Sequence, residues 1–299
     1  MTEYKSITLA DREWMQPLID MSGFQSEEYN FNFCYIWKDS FDYRVARLGD
    51  RMLLGAYHYK TPSFLYPPGS GDAAPAIRAM MEDAKAGGYT LSFHTVLAEQ
   101  VKELEMLFPG AFDFVPLTDY FDYVYDAQSL ITLRGKKLHS KRNHINRFKE
   151  DNPDWSYEII TPENMPEVIE MSEDWCRVNE CQSTRSGRQE ACAVHIALRD
   201  FFSLRGMQGG LIRAGGKIAA FSAGERLNHD TYLVHIEKAY SEIQGSYAII
   251  NQEFAARNCG DCLYINREDD SGQLGLRKAK LSYRPVFQVE KYAARLRAE

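Results

Sequence analysis

The run Tyr232-Leu233-Val234-His235-Ile236-Glu237-Lys238-Ala239-Tyr240 sets an imidazole and a carboxylate two residues apart among strand-forming side chains. Strand alternation puts Tyr232, Val234 and Ile236 on one face and Leu233, His235 and Glu237 on the other. On that second face His235 and Glu237 would stand about 7 Å apart. Both are groups that move protons, so they are the candidate catalytic pair. Ser241-Glu242-Ile243-Gln244-Gly245-Ser246-Tyr247 then forms a loop that opens a helix. Unpaired N–H groups at such a start can hold a phosphate or an oxyanion, which makes Gly245, Ser246 and Tyr247 candidate binding residues. A polar sheet edge followed by a routine turn accounts for the same residues.

Two other constellations carry charge. Asn266-Arg267-Glu268-Asp269-Asp270 follows a short apolar strand, and ligands of open α/β sheets collect beyond the carboxyl ends of strands. Glu268 and Asp269 are candidates to receive an ammonium group, with Asn266 and Arg267 beside them. Arg277 and Lys280 in the next helix are candidates for phosphate. The alternative is a solvated acidic loop balanced by a basic helix. Residues 134–149 hold seven Lys or Arg, two His and no carboxylate, while Leu138, Ile145 and Phe148 form one narrow apolar seam. This reads as a helix that docks along one edge and shows a basic face. Lys136, Arg142 and Asn143 are its candidate phosphate contacts, and a solvated connector is the plainer reading.

Cys259-Gly260-Asp261-Cys262 is a lone CxxC, to which Cys192 and His195 could add two ligands. His195 falls on the apolar stripe of its helix, where a core histidine is commoner, so no metal is expected. No P-loop, dinucleotide fingerprint, HExxH or GxSxG motif occurs.

The elements that must position these residues follow from periodicity. In the first half, strands over 42–48 and 51–57 form a hairpin, followed by a helix over 73–86 and a strand over 89–93. A helix over 96–107 and strands over 111–115 and 120–125 complete that half. After the basic helix come a strand over 155–160, a helix from Pro162 and a helix with Ala191, Val194, Leu198 and Phe201 on one face. A hairpin over 210–214 and 217–225, the strand over 231–238 and a helix carrying Tyr247, Ile250 and Phe254 come next. A strand over 263–266, a short helix and a final strand over 286–289 close the chain. Each half is an α/β (α+β) unit with a mixed sheet and a strand–helix–strand core.

Length and composition agree. At 299 residues the chain is about twice a common domain of ~150 residues, and 44% hydrophobic with 26% charged residues is an ordinary globular balance. The net charge of −7 argues against non-specific coating of nucleic acid, yet the rest of the chain without the seven cations of 134–149 carries −14. Six cysteines do not make a disulfide scaffold. No apolar run approaches the ~18 residues of a membrane helix, and the opening MTEYKSITLADREW lacks a signal-peptide stretch. A cytoplasmic location is therefore expected.

KKLHSKRNHINRFK, EIQGSYAIINQEFA and YINREDDSGQLGLRKAKLSYRP, in this order, resemble the family named for the C-terminal domain of phosphatidylglycerol lysyltransferase. The resemblance implies two tandem GNAT-like domains, similar to Fem-type aminoacyltransferases, here over 1–133 and 134–299 with the basic junction helix at 134–150. It also implies aminoacyl transfer from aminoacyl-tRNA to a hydroxyl or amine acceptor, such as a phosphatidylglycerol-type head group, a peptide or a small molecule, with no further cofactor. The lipid-modifying members carry a membrane-embedded portion before this domain, whereas no transmembrane segment is expected here and peripheral membrane contact is the expectation. Acetyl-CoA-dependent GNAT enzymes carry Q/R-x-x-G-x-G/A. With Gly245 as the central glycine, Glu242 and Tyr247 break that motif, so acyl-CoA transfer is the second reading, and a non-catalytic GNAT-like binding module is the third.

Overall fold

A computed structural model describes residues 2–297. In chain order the elements are β1 (Lys5–Ser6), α1 (Arg12–Ser22), α2 (Phe31–Ile36), α3 (Lys38–Phe41), β2 (Tyr43–Leu48), β3 (Arg51–Ala56), β4 (Ser63–Leu65), α4 (Ala74–Ala86), β5 (Ser92–Leu97), α5 (Ala98–Leu107), β6 (Phe112–Pro116) and β7 (Asp122–Asp126). They continue as α6 (Ala127–Thr132), α7 (His139–Asp151), β8 (Ser156–Ile159), α8 (Met165–Val178), α9 (Arg185–Arg199), β9 (Gln208–Ala214), β10 (Lys217–Arg226), β11 (Thr231–Ala239), α10 (Ser246–Asn258), β12 (Tyr264–Asn266), α11 (Leu274–Ser282), β13 (Phe287–Val289) and β14 (Lys291–Leu296).

Two seven-stranded mixed sheets result, ordered β1-β2-β3-β4-β5-β14-β6 and β8-β9-β10-β11-β12-β7-β13. The layouts match position for position. Each has a parallel pair, β4–β5 and β11–β12, joined through a helix, α4 or α10. This is the strand–helix–strand core expected from the element order. The sixth position of each sheet is filled from the other half of the chain, since β7 goes to the second sheet and β14 to the first. The division expected at 133/134 is therefore displaced. One compact unit holds the chain up to Asp122 together with that from Val289 onward, and the other is Tyr123–Gln288.

In the first unit, Phe64, Phe93 and Phe112 on the sheet pack with Ile77 and Met80 of α4. Burying these side chains is the main drive for the layer. β14, absent from the sequence expectations, is fixed by a buried charge. Lys291 is 0% exposed, and its ammonium lies 2.5 Å from Asp122, 2.9 Å from Glu28 and 3.1 Å from Glu27. An unpaired buried ammonium costs several kcal/mol, so this strand has one tolerable register. Burial alone would raise the Glu28 carboxyl, but Lys291 and the Ser26 hydroxyl hold it below the usual carboxylate range. The helix expected from Pro162 starts later, at Met165, because Asn164 first turns the chain and accepts the Thr161 N–H at 2.8 Å.

In the second unit the register between β10 and β11 decides the site. Ala223 faces Ile236 and Gly224 faces Val234, so His235 is the extra residue of a β-bulge. Gly224 permits it, because a Cβ there would meet the Leu233 carbonyl oxygen at 2.3 Å. β12 pairs with β11 only from Thr231 to Leu233. From Val234 onward no strand among the described residues joins β11 on that side, which leaves a fork. We expect Gly224→Ala to cost about 1–3 kcal/mol in urea denaturation, because backbone must move to admit the methyl. Unchanged stability would contradict this account of the bulge.

Candidate functional site

The bulge corrects the face assignment read from alternation. Residues paired across a ladder share a face. Glu237 pairs with Ser222 and reaches Asn251 on α10, whereas His235 reaches Glu225, which pairs with Leu233. His235 and Glu237 therefore lie on opposite faces of β11, and they do not form one proton-moving pair.

His235 is locked. Its side chain is fully buried, with Nδ1 2.9 Å from Glu268 Oε1 and Nε2 3.1 Å from Glu225 Oε1. Burial pulls its pKa down, but the two carboxylates more than offset this and push it up to about 9. The protonated ring donates at both nitrogens, so at neutral pH it has no lone pair with which to take a proton. Burial also raises the Glu268 carboxyl, and the imidazolium works against that rise. One imidazolium between two carboxylates ties β10, β11 and the loop after β12 together. Both ring nitrogens are engaged in this bracing, and the Glu268 carboxylate is engaged with them.

The loop after β12 is built to a fixed shape. The Glu268 N–H donates to Asn266 Oδ1 at 2.7 Å, and Glu268 has a left-handed φ of 58°. The buried Lys280 ammonium donates to the carbonyls of Arg267 and Asp269. Asp269 accepts from the Ser271 N–H and hydroxyl. Arg277 is bound by two 2.8 Å hydrogen bonds to Asp270, which also accepts from Tyr123. Burial would raise the Asp270 carboxyl, but Arg277 and Tyr123 hold it low. Arg277 and Lys280, read from sequence as phosphate contacts, thus hold the loop by these bonds. Asp270 stands in the acidic run but has no role readable from sequence, because its partners Arg277 and Tyr123 lie 7 and 147 residues away.

On the opposite face Glu237 spans the fork. Arg267 donates to its Oε1 at 2.7 Å and Asn251 donates to its Oε2 at 3.0 Å. Burial works against charge on Arg267, and Glu237 more than offsets it. The guanidinium carbon lies 4.9 Å from the Tyr283 ring centre and 5.5 Å from that of Tyr125. Lys141 of α7 lies 3.9 Å from the Tyr283 ring centre, and burial and then Arg267 lower its pKa. Two buried polar atoms here have no hydrogen-bond partner among the described residues, Arg267 Nη1 and Asn251 Oδ1. The Asn251 orientation is fixed, because its amide nitrogen must face the carboxylate. A donor and an acceptor thus flank one carboxylate with bonding capacity to spare. Asn251 and Tyr283 lie in two of the motifs quoted above, but sequence alone gives them no role, because they meet Glu237 or Arg267 only in the fold.

The other expected residues divide. Gly245 has φ 86°, and a Cβ on it would meet the His144 carbonyl oxygen of α7 at 2.2 Å, so helix packing rather than ligand approach requires glycine. Ser246 is buried and donates to the Tyr240 carbonyl at 2.7 Å, while the Tyr247 hydroxyl accepts from Trp175 at 3.2 Å. Asn266 is fully buried. Arg142 donates to the carbonyls of Leu133 and Gly135, which makes it a clip on the chain entering α7. Asn143 lies 3.3 Å from His139 on the exposed face, and Lys136 is exposed just before the helix. His195 is exposed on α9 rather than part of its apolar stripe, and Cys259 and Cys262 are buried. Among the described residues no group of three or more His, Cys, Asp or Glu is arranged to hold a metal.

The His235 assignment predicts a pH dependence. A pKa raised from 6.5 to about 9 stabilises fully below pH 6.5, and that contribution is lost as pH rises through 9. The loss is on the order of 3 kcal/mol. We expect the melting temperature to fall between pH 7 and 9.5 and the His235 ring to titrate near pH 9 by NMR. An imidazole titrating at or below pH 6.5 would overturn the assignment.

Comparison with known proteins agrees with this architecture. A Bacteroides thetaiotaomicron protein of unknown function is 38% identical, with 99% of this chain and 100% of that chain aligned at a TM-score of 0.94. The C-terminal domain of a putative lysylphosphatidylglycerol synthetase from Agrobacterium fabrum aligns over 97% of this chain and 93% of its own, with 14% identity and a TM-score of 0.68. L-PGS from Bacillus licheniformis aligns over the same shares with 17% identity and a TM-score of 0.66, so these two share the fold. An uncharacterised protein of Mycoplasmoides gallisepticum is 25% identical over 179 residues, 58% of this chain, which spans only 56% of that curated relative's length. The model of the family "Phosphatidylglycerol lysyltransferase, C-terminal" matches residues 21–295. That match covers nearly the whole chain and both sheets, and the chain belongs to this family.

Proposed function

We propose that this protein is a transferase that moves an aminoacyl group from aminoacyl-tRNA to a hydroxyl or amine, with a phosphatidylglycerol-type head group as the acceptor class. The observation that carries the reading is the Glu237 carboxylate flanked by the unfilled Arg267 Nη1 and Asn251 Oδ1 in the β11–β12 fork. An aminoacyl ester supplies both missing partners. Its carbonyl oxygen accepts from Arg267, and its ammonium donates to Asn251 and Glu237. The acceptor oxygen or nitrogen bonds to the ester carbon, the bond to the tRNA ribose breaks, and the acceptor's proton ends on the released ribose oxygen. Arg267 stabilises the oxyanion formed between these steps. Holding both reactants in the fork supplies a further part of the rate. Of the two bases read from sequence, only Glu237 is on this face.

Aminoacyl-tRNA is favoured over acyl-CoA by the loop before α10. The Ile243 N–H donates to Tyr240 and the Ser246 N–H to Ile243, so these amides are already used within the turn. The basic segment offers a place for the donor, since Arg134, Lys136 and Lys137 are exposed.

Incubation with total charged tRNA, phosphatidylglycerol vesicles and amine or peptide acceptors, read by mass spectrometry, should give an aminoacylated product. Arg267→Ala, with activity taken per folded molecule because Glu237 loses its cation, should lower kcat/KM by roughly 10²–10³-fold. No product from any donor, or full activity in that variant, would refute the reading. Reversing Lys136 and Lys137 together should weaken tRNA binding and flatten its salt slope by roughly 1–2. An unchanged slope would return this segment to the role of connector.

A further inference from the structure

α11 is amphipathic in the wrong sense for a surface helix. Its inward contacts come from Lys280 and from Arg277, which hold the loop after β12. Leu274, Lys278 and Leu281, spaced i, i+4 and i+7, share a solvent-facing stripe beside that inward face. Leu274 is 77% exposed and Leu281 46% exposed. The turn to β13 adds Val286, 53% exposed, and the partly exposed Phe287. Apolar side chains gathered this way on a surface mark a contact, whereas scattered ones need no explanation.

The charge of the segment selects the partner. Residues 271–289 contain no Asp or Glu. Lys278 and Arg284 are exposed, and neither pairs with a carboxylate among the described residues. Apolar side chains interleaved with unpaired cations, and no anions, suit the boundary between anionic head groups and acyl chains. No described helix is long and apolar enough to cross a membrane, so attachment by this segment would be peripheral.

We propose that the outward stripe of α11 and the turn after it, formed by Leu274, Lys278, Leu281, Arg284 and Val286, docks on an anionic lipid bilayer. The two leucines and Val286 enter the acyl boundary, and Lys278 and Arg284 meet lipid phosphates. The inference builds on the lipid acceptor reading above, but docking is measured without any transfer.

The test is flotation of the full chain with vesicles. Vesicles of phosphatidylcholine and phosphatidylglycerol in equal parts should carry the protein upward, and pure phosphatidylcholine should not. Leu274→Glu with Leu281→Glu should reduce the floated fraction at least roughly tenfold. Lys278→Glu with Arg284→Glu should give a smaller loss that high salt reproduces in the parent protein. Both pairs are at the surface, and unchanged melting curves confirm folded variants. Absence of flotation, or equal flotation of the leucine pair, overturns the proposal. So does a dimer of the parent protein that the leucine pair abolishes, since the stripe would then belong to a second copy. Transfer to water-soluble glycerophosphoglycerol separates the two ideas. Docking without transfer to either acceptor fails the functional reading alone, and transfer to both without docking fails this one alone.

Discussion

One extra residue in one strand organises the second unit. Because His235 has no partner on β10, every side chain of β11 beyond it changes face, and Glu237 is turned toward α10. The two carboxylate systems are thereby kept apart by the sheet itself. On one side a charged imidazole is spent in holding three chain segments. On the other a carboxylate is left between a guanidinium and an amide that each keep one bonding position open. A sheet without the bulge would put both systems on one face, and the imidazolium would then compete for the carboxylate that the fork needs.

The electrostatics of the region follow one pattern, in which cations are used as struts. Lys280 ties backbone carbonyls, Arg277 ties Asp270 and Arg142 ties the chain ahead of α7. Buried charge is tolerated in each case because its hydrogen bonds are made. Arg267 is the departure, with one nitrogen satisfied by Glu237 and one left over. In a loop so fully braced, an unfilled donor is the feature that distinguishes a binding group from a structural one.

Much of the fold was legible in the sequence because alternation and helical spacing are local. The β2–β3 and β9–β10 hairpins, α4 and α10 lie within a few residues of their expected places. The bulge was not legible, since its enabling glycine is on a neighbouring strand and nothing in the run around His235 marks an extra residue. β14 was missed because its inward residue is a lysine, whose burial makes sense only once Asp122, Glu27 and Glu28 have come together. The site was half legible. Glu237 and Arg267 carry charge and so stand out as candidates, whereas Asn251 and Tyr283, though inside the quoted motifs, look like ordinary helix and turn residues until the fold brings them in. The basic segment forms a helix only from His139 to Asp151, so Arg134, Lys136 and Lys137 of the expected 134–150 helix precede it, and composition could not show which cations were already engaged.

The reciprocal placement of β7 and β14 sets the order in which this protein can mature. Synthesis delivers the first five strands of the first sheet and then β6, yet the strand between β5 and β6 is made only after every strand of the second sheet. Until it arrives, β5 and β6 have no common neighbour, and Glu27, Glu28 and Asp122 lack their cation. In the second sheet the sixth strand, β7, emerges before its partners, and only the edge strand β13 comes as late as β14. The half translated first is therefore the half completed second, and during that interval its open sheet edges are exposed to mispairing.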